Sequence, residues 1–337
     1  MTAAEGTVSH DELVANMTGG MARSDLPSFA GSDRLRPDGR PRPEFRAELR
    51  RIPDAINAVN VLATLAGAVG VVAAAIAVDH WLATAVAVPV MGVVMLRMFI
   101  LHHEAAHRLL FSNRLVNDIV GVNILGWLPF GTGTHHYRRG HANHHRDEFG
   151  PKEPDFLLYS LYPVSRSSMR RKLLRDLVGV SGYRIVKPRF TGLIRPPFLL
   201  LSLRFFAGQA LVLAAFWAVG QPWLYLVLWA LPYFSYYQVA NRLRVIAEHG
   251  GMTRTPDRRN TTHHVRQNWA ARLVLVPYNV GYHLAHHVDS GVPARNLPRL
   301  QRALEEDGYL PEEAVWPDYR SLWRALVRPE PDPAPAT

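Results

Sequence analysis

The stretch INAVNVLATLAGAVGVVAAAIAV, residues 56–78, decides the fold. It runs 23 positions without a charged side chain. A helix needs about 20 such residues to cross the hydrocarbon core of a bilayer. Only Asp79 and His80 separate it from a second apolar run, residues 81–101, whose single charge is Arg97 near the far end. Two spans joined by so short a turn form a helical hairpin. The pattern returns later in the chain. Residues 198–220 carry one charge, Arg204, and residues 222–241 carry none, with Gly220-Gln221-Pro222 between them. Buried helices of a soluble protein are the competing reading, and charges this sparse over runs this long weigh against it. The expected fold is an all-α membrane protein with four transmembrane helices, about 56–78, 81–101, 198–220 and 222–241, in two hairpins.

Charge orients the hairpins. The two tight turns hold no Lys or Arg, whereas Arg34, Arg36, Arg40, Arg42, Arg46, Arg50 and Arg51 precede the first span. Many more basic residues lie in 102–196 and after Arg242. By the positive-inside rule both termini and the central loop are cytoplasmic. Residues 1–52 are polar, read as no secretory leader, and form an N-terminal cytoplasmic segment whose opening 30 or so positions look loosely ordered. The membrane unit then covers 53–305, and 306–337 is a cytoplasmic segment whose end, PEPDPAPAT, reads as disordered. Residues 117–133 are apolar but short and glycine-rich, as an interfacial or re-entrant segment would be. Residues 155–180 suit helices lying on the membrane surface, and 273–282 a half-buried segment.

Histidine is the outlier in composition, with 16 residues. Eight of these fall into three tight groups on the expected cytoplasmic side: HEAAH (His103, His107), HANHH (His141, His144, His145) and HLAHH (His283, His286, His287). Spacings of three and four put the rings of each group on one helical face. Neutral imidazole is the commonest metal ligand, and eight ligands exceed what one zinc takes. Two metals sharing one site suit the number, and nitrogen ligation admits Fe, Cu, Zn or Ni. HEAAH taken alone is the zinc-peptidase pattern, with Glu104 as general base; that reading leaves six of the grouped histidines idle. A metal transporter would carry its polar residues in mid-span, not at the ends.

The chain has no cysteine, which excludes disulfides, thiolate zinc sites and a built-in iron–sulfur cluster. The net charge of +10 comes without zinc-finger spacing or an RNA-binding aromatic motif, so nucleic acid is not an expected partner.

Order, spacing and hairpin layout together resemble the integral-membrane fatty acid desaturase superfamily, whose three histidine boxes HEAAH, HANHH and HLAHH match over about residues 50–300. YNVGYHLAHH followed by VPARNLP is similar to the third box and its trailing segment. The resemblance implies a cytoplasmic helical cap that carries the boxes and holds two non-haem Fe ions, with O2 as co-substrate. It implies His103, His107, His141, His144, His145, His283, His286 and His287 as ligands. A further histidine is expected between the fourth span and the third box. His249 is the best placed, with His263 and His264 as rivals. Glu104, Glu248, His136 and Asp155 are candidates to orient ligand imidazoles, and His102 and His135 adjoin the boxes. Trp127, Phe130, Trp229, Tyr233, Phe234 and Tyr236 are candidates to line an acyl tunnel.

The implied activity is an oxidoreductase that removes hydrogen from unactivated CH2 groups of a fatty acid or lipid acyl chain to form C=C. A hydroxylase or a carotenoid ketolase of the same superfamily is the alternative. No H-P-G-G motif of a fused cytochrome b5 is present. A separate electron donor, ferredoxin-like or flavoprotein-linked, is therefore expected, together with the membrane and a lipid substrate.

Overall fold

The computed structural model describes residues 9–131, 134–150 and 153–328. They are mostly helical, with four strands of two residues each. Three helices are long and apolar enough to cross a membrane: the run ending at Val78, Trp81–Ala106 and Pro196–Ala218. The first hairpin pairs α1 (Asp54–Val78) with α2 (Trp81–Ala106). Its turn is made by Asp79, in the left-handed region at φ 42°, and by His80, whose Nδ1 accepts the Leu82 N–H at 3.2 Å. That bond meets one of the donors that a helix start leaves free.

α2 is the central member. Its lower half buries Met91, Met95, Leu96, Met98, Ile100 and Leu101. α1 instead leaves Val59, Leu62 and Val69 about two-thirds exposed. A helix apolar all round with an uncovered face is suited to lipid. Gly92 lets Tyr236 approach α2 closely, since a Cβ there would stand 2.7 Å from the Tyr236 Cβ.

After α2 the chain turns through Leu110 and re-enters as a π-helix, Asn117–Trp127, where an interfacial segment is expected. The Asn117 amide fixes this turn. It accepts from the Leu110 and Phe111 N–H groups and donates to the Ala105 carbonyl at 3.0 Å. Gly121 lies so close to α2 that a Cβ would meet that of Ala105 at 2.1 Å. α3 (Thr134–Arg146) carries the second box. Its Arg138 donates to the Ala106 and Ala105 carbonyls at 3.0 and 3.2 Å, capping the last turn of α2. α4 (Arg166–Leu177) follows, starting at Ser165, whose hydroxyl accepts the Ser168 N–H. α5 (Pro196–Ala218) is the third long apolar helix.

The fourth apolar run is interrupted. Leu226–Ala230 is π-helical, Leu231–Phe234 is a short α-turn, and Ser235 leaves helical geometry at φ −118°, ψ −90°. Pro232 removes a ladder donor, and three residues on, the Leu231 carbonyl accepts from both the Ser235 N–H at 3.0 Å and the Ser235 hydroxyl at 2.6 Å. α6 (Tyr236–His249) then continues well past residue 241, where the sequence suggested an end. α7 (His283–Val288) carries the third box.

Segments near both ends of the described chain pack back onto it. Residues His10–Met17 form a helix with a capping box between Ser9 and Glu12, where the sequence suggested loose order. Val315–Trp316 pairs in parallel with His264–Val265, and Val327–Arg328 with Val164–Ser165. The Pro-rich end, residues 329–337, lies outside the described residues.

Candidate metal centre

Four elements deliver nine imidazoles to one place. His103 lies in the last turn of α2 and His107 is its C-cap. α3 supplies His141, His144 and His145, α6 ends on His249, and α7 supplies His283, His286 and His287. They sort into two groups, in each of which the ligand nitrogens lie within 4.8 Å of one another: His103, His107, His141, His145, His286, and His144, His249, His283, His287. The groups adjoin, with the His145 and His287 rings 4.3 Å apart.

Each H-x-x-H-H box therefore straddles both groups. On α3 the i, i+4 pair His141 and His145 faces one group and His144 reaches the other. On α7 the pair His283 and His287 faces the second group and His286 crosses to the first. The spacing places the three rings of each box on one helical face, for two metals sharing one site, without showing how the rings divide between two groups. His249, from the end of α6, joins the second group.

The ring nitrogens of each group face one another across short gaps. His249 Nδ1 donates to the Thr261 carbonyl at 2.9 Å. His287 Nδ1 donates to Glu148, and His283 Nδ1 lies 3.4 Å from Glu248 Oε1. A neutral imidazole protonated on Nδ1 presents a lone pair on Nε2. Yet His283 Nε2 stands 3.0 Å from the Nε2 atoms of both His249 and His287. In the first group His141 Nε2 is likewise 2.8 Å from His107 Nε2 and 3.0 Å from His145 Nε2. Lone pairs converging at that separation are stabilised by a cation between them. Two imidazoles bound at right angles to one ion, at about 2.1 Å each, hold their nitrogens about that far apart. The donor set fits two metal ions.

Burial supports the neutral form. It holds the His107 and His249 imidazoles down to about 3, with the nearby His144 adding to the effect in both. His144 goes the other way. Burial pulls it down, but the bond to Glu153 and the charges of Glu153, Asp155 and Glu148 outweigh that and raise it.

Other candidates fall into place differently. Glu248 stands beside His283 and pairs with Arg244 at 2.5 Å. Asp155 reaches the vicinity of His144, and its N–H donates to Glu153 Oε1 at 3.0 Å. Glu104 touches no box histidine. Its carboxylate accepts the Ala294 N–H at 2.9 Å, latching α2 to the segment after the third box. The general-base reading of HEAAH needs that carboxylate on the metal side, and it is not there. His136 is exposed, so it does not orient a ligand. The side chain of His135 lies outside the described residues. His102 Nδ1 donates to the Gly121 carbonyl at 2.9 Å and its ring packs on Tyr137 at 4.8 Å.

The rivals of His249 are used elsewhere. His263 donates from Nε2 to the Gly250 carbonyl and accepts from Trp316, and His264 meets Glu305 at 3.2 Å.

Sequence reasoning missed Glu148 and Glu153. Both lie in the acidic loop just after the second box, where Phe149 turns the chain back at φ 60°. Glu153 accepts from His144 Nδ1 at 2.8 Å, and Glu148 also meets Arg258 at 2.5 Å. Their position a few residues past a histidine box is the signal that could have found them.

Beside the imidazoles runs an aromatic column. Tyr137 stacks on His141 with ring centroids 5.6 Å apart, and Phe99, Phe130, Tyr237 and Tyr233 follow within 6.1 Å of one another in turn. It ends at a cavity of about 180 Å³ whose walls include Phe205, Trp229, Tyr233 and Phe234. Of the other suggested tunnel rings, Trp127 donates to the Arg204 carbonyl and Tyr236 is 43% exposed.

Comparison with known proteins agrees with this picture. A dihydrorhizobitoxine desaturase of Bradyrhizobium elkanii is 24% identical over 262 residues, covering 72% of this chain and 74% of that protein. The family profile described as fatty acid desaturase matches residues 79–319, a region that contains all nine converging histidines. The chain belongs to the fatty acid desaturase family.

Proposed function

We propose that this protein is an O2-dependent di-iron desaturase that forms C=C bonds in fatty acid or lipid acyl chains. The observation that carries the reading is the pair of adjoining imidazole groups whose lone pairs converge. His103, His107, His141, His145 and His286 hold one iron, and His144, His249, His283 and His287 the other. When bound, the two irons reduce O2 and supply the oxidant for an unactivated C–H bond. The balance is –CH2–CH2– plus O2, two electrons and two protons, giving –CH=CH– and two waters. This chain has no Cys to ligate an iron–sulfur cluster, so the electrons come from a separate ferredoxin-like or flavoprotein-linked donor.

The rest of the chain positions and shields. Glu148, Glu153, Glu248 and the Thr261 carbonyl hold the ligand rings in one tautomer. Phe99, Phe130, Tyr137 and Tyr237 exclude water and guide an apolar chain toward the irons. Desaturation is favoured over hydroxylation by the name of the Bradyrhizobium relative. Expression in a host lacking the activity, followed by lipid mass spectrometry, tests this. Products two hydrogens lighter than substrate are expected; products carrying an added oxygen make the protein a hydroxylase or ketolase.

The membrane topology belongs to the same proposal. Four spans in two hairpins, the last of them interrupted at Ser235, place both termini, the cap and the irons on the cytoplasmic side. The cysteine-free chain allows single-cysteine mapping without background. Asp79→Cys and Gln221→Cys should react with an impermeant thiol reagent from outside, and Arg170→Cys and Asp307→Cys only from the cytoplasmic side. The opposite pattern overturns the orientation.

A further inference from the structure

The two imidazole groups differ in what stands behind them. In the group of four, three imidazoles bond an acceptor through Nδ1, and the fourth, His283, has a carboxylate beside its Nδ1 without a hydrogen bond to it. His144 has Glu153 at 2.8 Å, His287 has Glu148, His249 has the Thr261 carbonyl, and His283 has Glu248 at 3.4 Å. In the group of five, no carboxylate bonds an imidazole among the described residues. His145 lies near Glu148, but its Nδ1 is buried without a partner, as is the second Glu148 oxygen. The Glu148 bond goes to His287 instead. The acceptors are themselves braced: Glu148 by Arg258, Glu248 by Arg244, and Glu153 by the Asp155 N–H.

A carboxylate that accepts from Nδ1–H fixes the tautomer and ring angle and makes Nε2 more basic. Applied to one group only, that has a consequence. We propose that Glu148, Glu153 and Glu248 are positioning residues for one metal position alone, so that the two irons are held by chemically different means. The inference rests on the di-iron reading above and adds which residues separate the two sites. The iron in the group of four depends on carboxylates that the other iron does not use.

Glu153 gives the cleanest test. It binds His144 through both oxygens, at 3.0 and 2.8 Å, and among the described residues it has no Arg partner to leave uncompensated. Holoprotein in lipid nanodiscs is loaded with ferrous iron and challenged with a chelator. Iron per chain and the Mössbauer spectrum are then recorded. Wild type should retain two irons. Glu153→Gln keeps the size and an acceptor oxygen but loses the charge. It should weaken one iron by about 10- to 100-fold, shift one Mössbauer doublet and leave the other doublet where it was. Glu153→Asp, which restores the carboxylate at shorter reach, should recover part of the loss, and it carries the same test if the first variant does not fold. Both irons weakening together, or neither changing, overturns the inference while leaving the di-iron reading intact. A wild type that binds no more than one iron overturns both.

Discussion

His286→Ala should abolish product formation and lower bound iron from two per chain to one, with the protein still inserted in the membrane. His286 alone carries the third box into the group of five, where its ring lies 4.9, 4.7 and 4.6 Å from those of His103, His107 and His145. Removing it leaves that position four imidazoles and an empty volume facing α7. The loss in rate should be on the order of 10³-fold or more, equivalent to more than about 4 kcal/mol of transition-state stabilisation. Glu104→Gln is the matching control. A Gln amide oxygen can still accept the Ala294 N–H, and Glu104 stands away from the imidazoles. That variant should keep two irons and most of the activity. Iron loss in Glu104→Gln, or retained activity in His286→Ala, would refute the ligand assignment.

Asp176→Ala should cost about 3–5 kcal/mol of stability, the usual effect of leaving one buried charge without its partner. Asp176 on α4 is 1% exposed and receives two bonds from the Arg242 guanidinium on α6, together with one from the Ser181 hydroxyl. Without it Arg242 remains buried and uncompensated, and α4 loses its main polar tie to the helix that ends on Glu248 and His249. A fall in thermal midpoint on the order of 10 °C is expected. Arg242→Ala in the Asp176→Ala background should recover part of the loss, since two removed charges cost less than one stranded charge. Glu48→Ala is the contrasting case. Its pair with Arg299 is 51% and 59% exposed, and such pairs contribute at most about 1 kcal/mol. Equal effects of Asp176→Ala and Glu48→Ala would sink the argument.

How much of this is legible in the sequence depends on the range of the interactions involved. The runs at 56–78, 81–101 and 198–220 are read directly, because lipid imposes length and apolarity on a continuous segment. The fourth run looks as apolar as the others, but Pro232 and Ser235 act through local bonding geometry that hydropathy does not register. The eight box histidines are visible through their spacing. The division of the nine converging histidines into five and four is not. It depends on how α2, α3, α6 and α7 are rotated against one another, which no single helix encodes. His249 was reached by resemblance to the family. The carboxylates were the hardest to foresee, because Glu148 and His287 are 139 positions apart and meet only once the loop after α3 has folded back. Glu104 misled for the opposite reason: a motif shared with zinc peptidases drew attention to a side chain that faces elsewhere.

The two parallel strand pairs set an order on the making of the protein. Val164–Ser165 waits for Val327–Arg328, and His264–Val265 waits for Val315–Trp316. The first box leaves the ribosome more than 200 residues before its cap can be fastened. By then α1, α2 and α5 are already synthesised, so the hairpins can be in the lipid while the imidazoles are still apart. On the di-iron membrane reading proposed above, iron is delivered to a chain that is finished and membrane-bound, and a nascent chain stalled before Val315 would be anchored but not yet able to close over its cargo.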